Sequence, residues 1–229
     1  MFCQNCGSEV GEAAFCTRCG ARQRVEGGTS AAAEVVAGPP PYTPALRGRA
    51  DPTQWIGQGW ELVKTDLGNF VLMTVLMLVI NGALPLLLHG ALTTGFQGTC
   101  KKKLLGIRFD MADLFEGFHF FGSTLAANVV ITIVVFLGAL LFIIPGLILA
   151  AMYNFTFLFI IDKKYSYKQA MRASAAVVKQ DYFGYTIFLI ALGLLNLAGV
   201  LCLFVGLLVT VPVSMAAITI AYRDVVGFE

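Results

Sequence analysis

Charge is what this sequence has least of. Only 13% of its 229 residues are Asp, Glu, Lys or Arg, and its mean hydropathy is +0.76. About a quarter of an ordinary soluble domain is charged, so this composition argues against a cytosolic enzyme. The net charge of +2 is too small to suggest nucleic acid as a partner. Histidine is nearly absent too: His89 and His119 are the only two. No HExxH, GxSxG or Walker pattern occurs, and no acid, base or nucleophile constellation is visible. The expectation is a protein that is not an enzyme.

The missing charges are missing in blocks. None occurs from 67 to 100, from 117 to 161, or from 182 to 222. One membrane-crossing helix needs about 20 apolar residues to span about 30 Å of hydrocarbon, so each block is too long for one span. Two spans fit well in the second and third blocks and tightly in the first. Each block carries a break near its middle: Asn81-Gly82 with Pro85, then Ile144-Pro145-Gly146, then Asn196 with Gly199. Pro removes a backbone donor and Gly lowers helix propensity, which makes these places to reverse direction; a kink within one long tilted helix is the alternative. The stretch from Pro85 to Cys100 is only weakly apolar, with His89, Thr93, Thr94 and Gln97, and reads as a poor span or a re-entrant piece.

Basic residues set the orientation. Arg47, Arg49 and Lys64 precede the first block, and Lys101, Lys102, Lys103 and Arg108 follow it. Lys163, Lys164, Lys168, Arg172 and Lys179 follow the second, Arg223 follows the third, and the mid-block breaks have none. By the positive-inside rule these segments face the cytoplasm. The expected fold is an all-α polytopic membrane protein of about six transmembrane helices in three hairpins. Both termini are then cytoplasmic, in the cell inner membrane.

At the front stand Cys3-Gln4-Asn5-Cys6-Gly7 and Cys16-Thr17-Arg18-Cys19-Gly20. Each CxxC puts two thiolates on one tight knuckle, and the trailing Gly lets backbone amides turn toward the sulfurs. Four thiolates make the closed tetrahedral set of a structural Zn²⁺ site, with no open position for catalysis. Cys3, Cys6, Cys16 and Cys19 are therefore the expected metal ligands. Two disulfides are the alternative if the segment is secreted; no apolar run precedes the first Cys, so no signal peptide is expected. Reduced, metal-bound cysteines suit the cytosol, in agreement with the orientation drawn from charge. Cys100 and Cys202 stand outside the set.

The segment Cys3 to Gly20, with Phe15 just before the third cysteine, resembles the short zinc ribbon at the N-termini of many bacterial membrane proteins. From about Asp51 onward the chain is similar to uncharacterised integral membrane families related to the membrane domain of some glycerophosphodiester phosphodiesterases. That similarity rests on Ile143-Ile144-Pro145-Gly146, Ala170-Met171-Arg172-Ala173-Ser174, Pro212 and Ala221-Tyr222-Arg223-Asp224. It implies no activity, because the catalytic phosphodiesterase domain is absent.

Three parts are thus expected: a zinc ribbon at 1–24, a flexible linker at 25–51 and a helical membrane domain at 52–229. The linker is rich in Gly and Ala and contains Pro39-Pro40-Pro41, too little apolar surface to order itself. Asp51-Pro52 opens a helix with Trp55, Ile56, Trp60 and Val63 on one face. In 101–118, Leu104, Ile107, Met111, Leu114, Phe115 and Phe118 form a stripe opposite Asp110, Asp113 and Glu116. Ser166 with Gln169 starts a third segment as a capping box, with Ala170, Met171, Ser174 and Val178 on one side. These read as amphipathic helices on the inner membrane surface or, equally, as connectors packed on the end of the bundle. Val63-Lys64-Thr65-Asp66 and Val178-Lys179-Gln180-Asp181 share V-K-x-D, with Phe70 and Tyr185 four residues after each Asp. They suggest a loose repeat of amphipathic helix plus hairpin, and chance similarity explains them equally.

Asn81, Asn128, Asn154, Asn196, Thr93 and Thr132 are polar residues expected within the membrane, chiefly as hydrogen-bonding glue between helices. The expected role is non-enzymatic: a membrane domain in the lipid bilayer that displays a cytoplasmic zinc ribbon to a protein partner as a scaffold. The alternative is a small transporter, channel or lipid-handling protein. The partner and the oligomeric state are not legible.

Overall fold

The structure is a computed structural model that describes residues 50–202 and 205–228. Its described residues form helices and turns, with no strand. Asp51 caps α1 (Pro52–Lys64), accepting from the Gln54 amide at 3.2 Å. That bond and the Thr53 hydroxyl hold the Asp51 carboxyl below its ordinary pKa. A sharp corner of 101° separates α1 from α2 (Leu67–Ala83). The chain then reverses into α3 (Pro85–Leu104). A 3-10 helix (Met111–Phe120) runs directly into α4 (Phe121–Leu141). The remaining helices are α5 (Ile143–Met152), α6 (Thr156–Lys163), α7 (Tyr167–Val178), α8 (Tyr182–Leu201) and α9 (Leu207–Val225).

Among the described residues four segments are long and apolar enough to cross a membrane: Met111–Leu141, Ile144–Lys163, Tyr182–Leu201 and Leu207–Val225. A fifth is added if the bent pair Pro52–Lys64 and Leu67–Gly82 counts as one. Large apolar side chains lie exposed along α2, α4 and α8, among them Leu72, Val79, Phe136, Leu140, Phe183 and Leu194. Surfaces of that kind suit hydrocarbon rather than water.

The weakly apolar half of the first block is unbroken, and among the described residues it is not one of the segments apolar enough to cross a membrane. It is α3, a single 20-residue helix, and every residue from Gly90 to Cys100 is buried. Its polarity follows from its place at the centre of the domain, screened by other helices. The 3-10 helix lies against it at backbone contact. A Cβ on Gly95 would fall 1.9 Å from the Leu114 carbonyl oxygen, and one on Gly117 would fall 1.9 Å from that of Ala91.

Two breaks lie where the sequence places them, between α2 and α3 and at Phe142 just before Pro145. The second is a reversal, since α4 and α5 pack on each other: a Cβ on Gly146 would sit 2.7 Å from Ala139. The third lies elsewhere. α8 runs through Asn196 and Gly199 to Leu201, because Asn196 spends its side-chain amide on Leu192 O and on Ser214 of α9, both at 2.9 Å. A break with no Pro or Gly signal divides α5 from α6 at 153–155. Ser174 of α7 closes it, donating to Met152 O at 2.6 Å and accepting from the Phe155 amide at 3.2 Å. Backbone freed from a helix in an apolar setting needs such partners.

The amphipathic stripe over 101–118 is not one helix. Leu104 ends α3, Gly106 turns the chain at φ +72°, and Ile107 and Phe115 are exposed while Leu114 is buried. Both α1 and α7 bury one face in the domain, through Trp55, Gly59 and Val63 and through Ala170, Ala173, Ser174, Val177 and Val178. The V-K-x-D pair holds equivalent places. Val63 and Val178 are buried at the ends of α1 and α7, Asp66 and Asp181 are the N-caps of α2 and α8, and Phe70 and Tyr185 are buried one turn on.

Charge collects at one end of the domain. Lys101, Lys102 and Lys103 follow one another on α3, so they point about 100° apart around its axis. Lys101 pairs with the fully buried carboxylate of Asp162 at the end of α6. Lys102 pairs with Asp113 at 3.0 Å and with Glu116, both on the 3-10 helix. Lys103 pairs with Asp66 and lies over the Phe70 and Phe109 rings. Tyr222 of α9 donates to Asp162 at 2.9 Å, Trp55 of α1 donates to Asp224 at 3.1 Å, and the Ala50 amide donates to Asp181 at 3.2 Å. The starts of α2, α4 and α8 and the ends of α3, α6 and α9 therefore meet at the charged end.

Candidate functional site

α3 sets one polar stripe into the domain. His89, Thr93 and Gln97 recur every four residues, so they share a face. That face looks into a cavity of about 610 Å³, within the range of small-molecule sites. α4 supplies the facing wall with Asn128, Thr132, Val135, Phe136 and Ala139. The α5–α6 break supplies Tyr153 and Asn154, and Leu189, Met215 and Ile218 close the far side. Asn128 donates to Leu86 O at 2.8 Å, and α3 and α4 meet closely at Gly90, where a Cβ would lie 2.7 Å from Thr124 O.

The cavity is a cleft. His89, Thr132, Phe136 and Ala139 at its rim are exposed, and Phe136 belongs to the apolar outer surface of α4. At depth, Thr93 is 5% exposed and Gln97 1%. Thr93 Oγ1 and Gln97 Oε1 are buried with no hydrogen-bond partner among the described residues. Neighbouring threonines do not share that condition: Thr94 donates to Gly90 O at 2.7 Å and Thr99 to Gly95 O at 3.1 Å. An unmet buried polar group costs about 1–3 kcal/mol, so the deep wall is a place where a hydrogen-bonding guest gains.

Among the described residues no carboxylate, ammonium, guanidinium or thiol lines the cleft. Hydroxyl, amide, imidazole and phenol groups over an apolar lining can bind an uncharged or zwitterionic polar group with an apolar body attached.

The polar residues singled out in the sequence divide. Asn196 is interhelical glue, and Asn128 is glue that also lines the cleft. His89, Thr93, Thr132 and Asn154 come together in it, while Asn81 lies outside. Sequence reasoning named Gln97 only as part of a weakly apolar stretch, although its four-residue spacing from His89 and Thr93 could have joined it to them, and it left out Tyr153, which nothing in the sequence marks. His119 is exposed, its Nδ1 3.1 Å from Glu116 O. Cys100 is buried and Cys202 exposed. Cys3, Cys6, Cys16 and Cys19, the ribbon at 1–24 and nearly all of the linker lie outside the described residues. Among the described residues no cluster of three metal-ligating side chains occurs.

No family model matches the sequence, and no solved structure matches it. It is similar to the uncharacterized protein Rv2560 of Mycobacterium tuberculosis strain H37Rv, with 30% identity over 145 residues, 63% of this chain and 43% of that protein. The uncharacterized proteins Mb2590 of Mycobacterium bovis and MT2637 of Mycobacterium tuberculosis strain CDC 1551 match with the same 30% identity and 43% coverage. The chain thus spans less than half the length of the curated relatives it matches.

Proposed function

We propose that this chain is a non-enzymatic inner-membrane protein of six spans in three hairpins. In this reading its termini and charged end face the cytoplasm, and its central cleft accommodates a lipid or similar amphiphile. The observation that carries the reading is the pair of buried, unpartnered polar atoms on Thr93 and Gln97 inside a cleft that opens on an apolar face. A molecule from the bilayer enters past Phe136 and Ala139 and gives its uncharged polar groups to α3. A charged guest finds no countercharge there, so ion transport is the weaker use of the same space.

Purification of the full chain in mild detergent, followed by extraction and mass spectrometry, tests this. The wild type retains an amphiphile, and Thr93→Val with Gln97→Leu retains at least ~10-fold less, the equivalent of two hydrogen bonds at about 1 kcal/mol each. Equal retention by both proteins overturns the reading.

The two CxxC pairs favour a second role for the part that precedes the helices. Cys3, Cys6, Cys16 and Cys19 hold one structural Zn²⁺, and the ribbon offers its surface to a protein partner on the tether. Such small units draw their folding energy from the metal. Metal analysis then gives one zinc per chain, lost on Cys6→Ser with Cys19→Ser, and removal of residues 1–24 empties the partner set without changing the helical domain. A zinc content unchanged in the double variant sinks this role.

A further inference from the structure

Five basic residues, Lys163, Lys164, Lys168, Arg172 and Lys179, fall on α7 and beside its two ends. No Asp or Glu occurs from 163 to 180. Lys168, Arg172 and Lys179 share one face by their spacing of four and seven, and all three are exposed. Among the described residues none of them forms an ion pair, in contrast to Lys101, Lys102 and Lys103. The two acids that bracket α7 are engaged elsewhere. Asp162 holds Lys101 and Tyr222, and Asp181 takes the Gly184 amide at 2.9 Å and the Ala50 amide at 3.2 Å.

These three cations border a groove of about 490 Å³ that also takes in Val130 of α4, Met152, Tyr153 and Met171. The combination is specific in its chemistry. A basic edge beside an apolar floor fits a molecule with a phosphate at one end and hydrocarbon at the other. Arg172 offers a planar fork and Lys168, one turn away, a point charge, the two modes by which proteins hold phosphate. A soluble phosphate would leave the floor uncovered. The Ser174 bonds that seal the α5–α6 break fix α7 against the domain, so the groove is held open by the fold.

We propose that this groove binds the headgroup of an anionic phospholipid, its phosphate on Lys168 and Arg172 with Lys179 adding charge, and the start of its acyl chains against Met152, Met171 and Val130. The site is separate from the cleft: only Tyr153 lines both, and the recognition is by charge rather than by neutral hydrogen bonds.

The test uses the full chain in detergent with phosphatidylglycerol or phosphatidylcholine of identical acyl chains added back, and native mass spectrometry to count bound lipid. Lys168→Gln with Arg172→Gln and Lys179→Gln is compared with Lys64→Gln, Arg108→Gln and Lys164→Gln, which removes the same charge elsewhere. Wild type and control prefer phosphatidylglycerol by ~10-fold or more, as two or three cations at a lipid surface provide, and the groove variant loses the preference. Should the triple variant not fold, Lys168→Gln with Arg172→Gln is read the same way. A preference kept by the groove variant, equal binding of both lipids, or displacement of phosphatidylglycerol by millimolar inorganic phosphate overturns the proposal; the last would make it a site for free phosphate. Loss of amphiphile from the cleft in the Thr93 and Gln97 variant leaves this result untouched.

Discussion

Two kinds of buried polar residue coexist in this domain, and they answer differently to substitution. Asp162 is fully enclosed but holds Lys101 and the Tyr222 hydroxyl, so its desolvation is compensated by partners from α3 and α9. Thr93 and Gln97 are enclosed to the same degree with an oxygen that meets nothing. Replacing a satisfied group strands its partners, while replacing an unsatisfied one removes a burden. Thr93→Val with Gln97→Leu is therefore expected to leave thermal stability in lipid-stripped detergent unchanged or raise it by about 1–3 kcal/mol, measured by the temperature of unfolding. If these residues were structural glue, the same variant would unfold at a lower temperature. Conserved shape with opposite signs for binding and stability separates a ligand site from a packing contact. His89 and Thr93 were visible in the sequence as polar interruptions of a hydrophobic block. Their common purpose was not, because a polar atom in an apolar run looks the same whether it bonds to its own helix, as in Thr94, or faces a cavity, as in Thr93.

The elements are positioned by close backbone approach as much as by side-chain volume. At Gly95 and Gly117, α3 and the 3-10 helix touch through their backbones, and the only way to admit a methyl group is to push one element off the other. Gly117→Ala is expected to lower stability by about 1–3 kcal/mol, the usual cost of overpacking. Gly193 in the middle of α8 has nothing within 4 Å of its Cβ position, and Gly193→Ala is expected to raise stability by up to about 1 kcal/mol through helix propensity. Thermal unfolding of the two variants reads both; a Gly117→Ala protein as stable as wild type would refute the close packing. The apolar helices and the breaks after α2 and α4 were legible because charge-free length and Pro or Gly breaks are local properties. The capping box at Ser166 was legible for the same reason. The break at Tyr153 was not, since its backbone is satisfied by Ser174, 19 residues away from Phe155. Nor was the end of α8, where Asn196 looked like a turn residue and instead bonds to Ser214 on the next helix. Partners distant in sequence decide both cases.

The domain as a whole is asymmetric along its helices. Acidic and basic side chains join the start of α2 and the 3-10 helix before α4 to the ends of α3 and α6, and no charged residue occurs from 182 to 222 or at the breaks after α2 and α4. An amphipathic helix followed by an Asp N-cap occurs at both α1–α2 and α7–α8; the middle unit, whose sequence matches the others weakly, instead has its 3-10 helix continuing into α4. A polar end and an apolar end separated by helices of up to 21 residues, about 30 Å, suit the proposed arrangement in which the charged end stays in one aqueous compartment. The positive excess of that end, with Lys163, Lys164, Lys168, Arg172 and Lys179 in one stretch, is the ground on which we propose that it faces the cytoplasm. Cys202 lies exposed at the opposite end, where α8 stops. A membrane-impermeant maleimide added to intact cells is therefore expected to label Cys202 and to lose its target in Cys202→Ser. In that background Lys102→Cys and Lys163→Cys stay unlabelled until the membrane is opened. Labelling of either position in intact cells would put charged connectors on both sides of the bilayer, and the three-hairpin arrangement, the orientation of the α7 groove toward the inner leaflet and the cytoplasmic place of the cysteine pairs would all fail together.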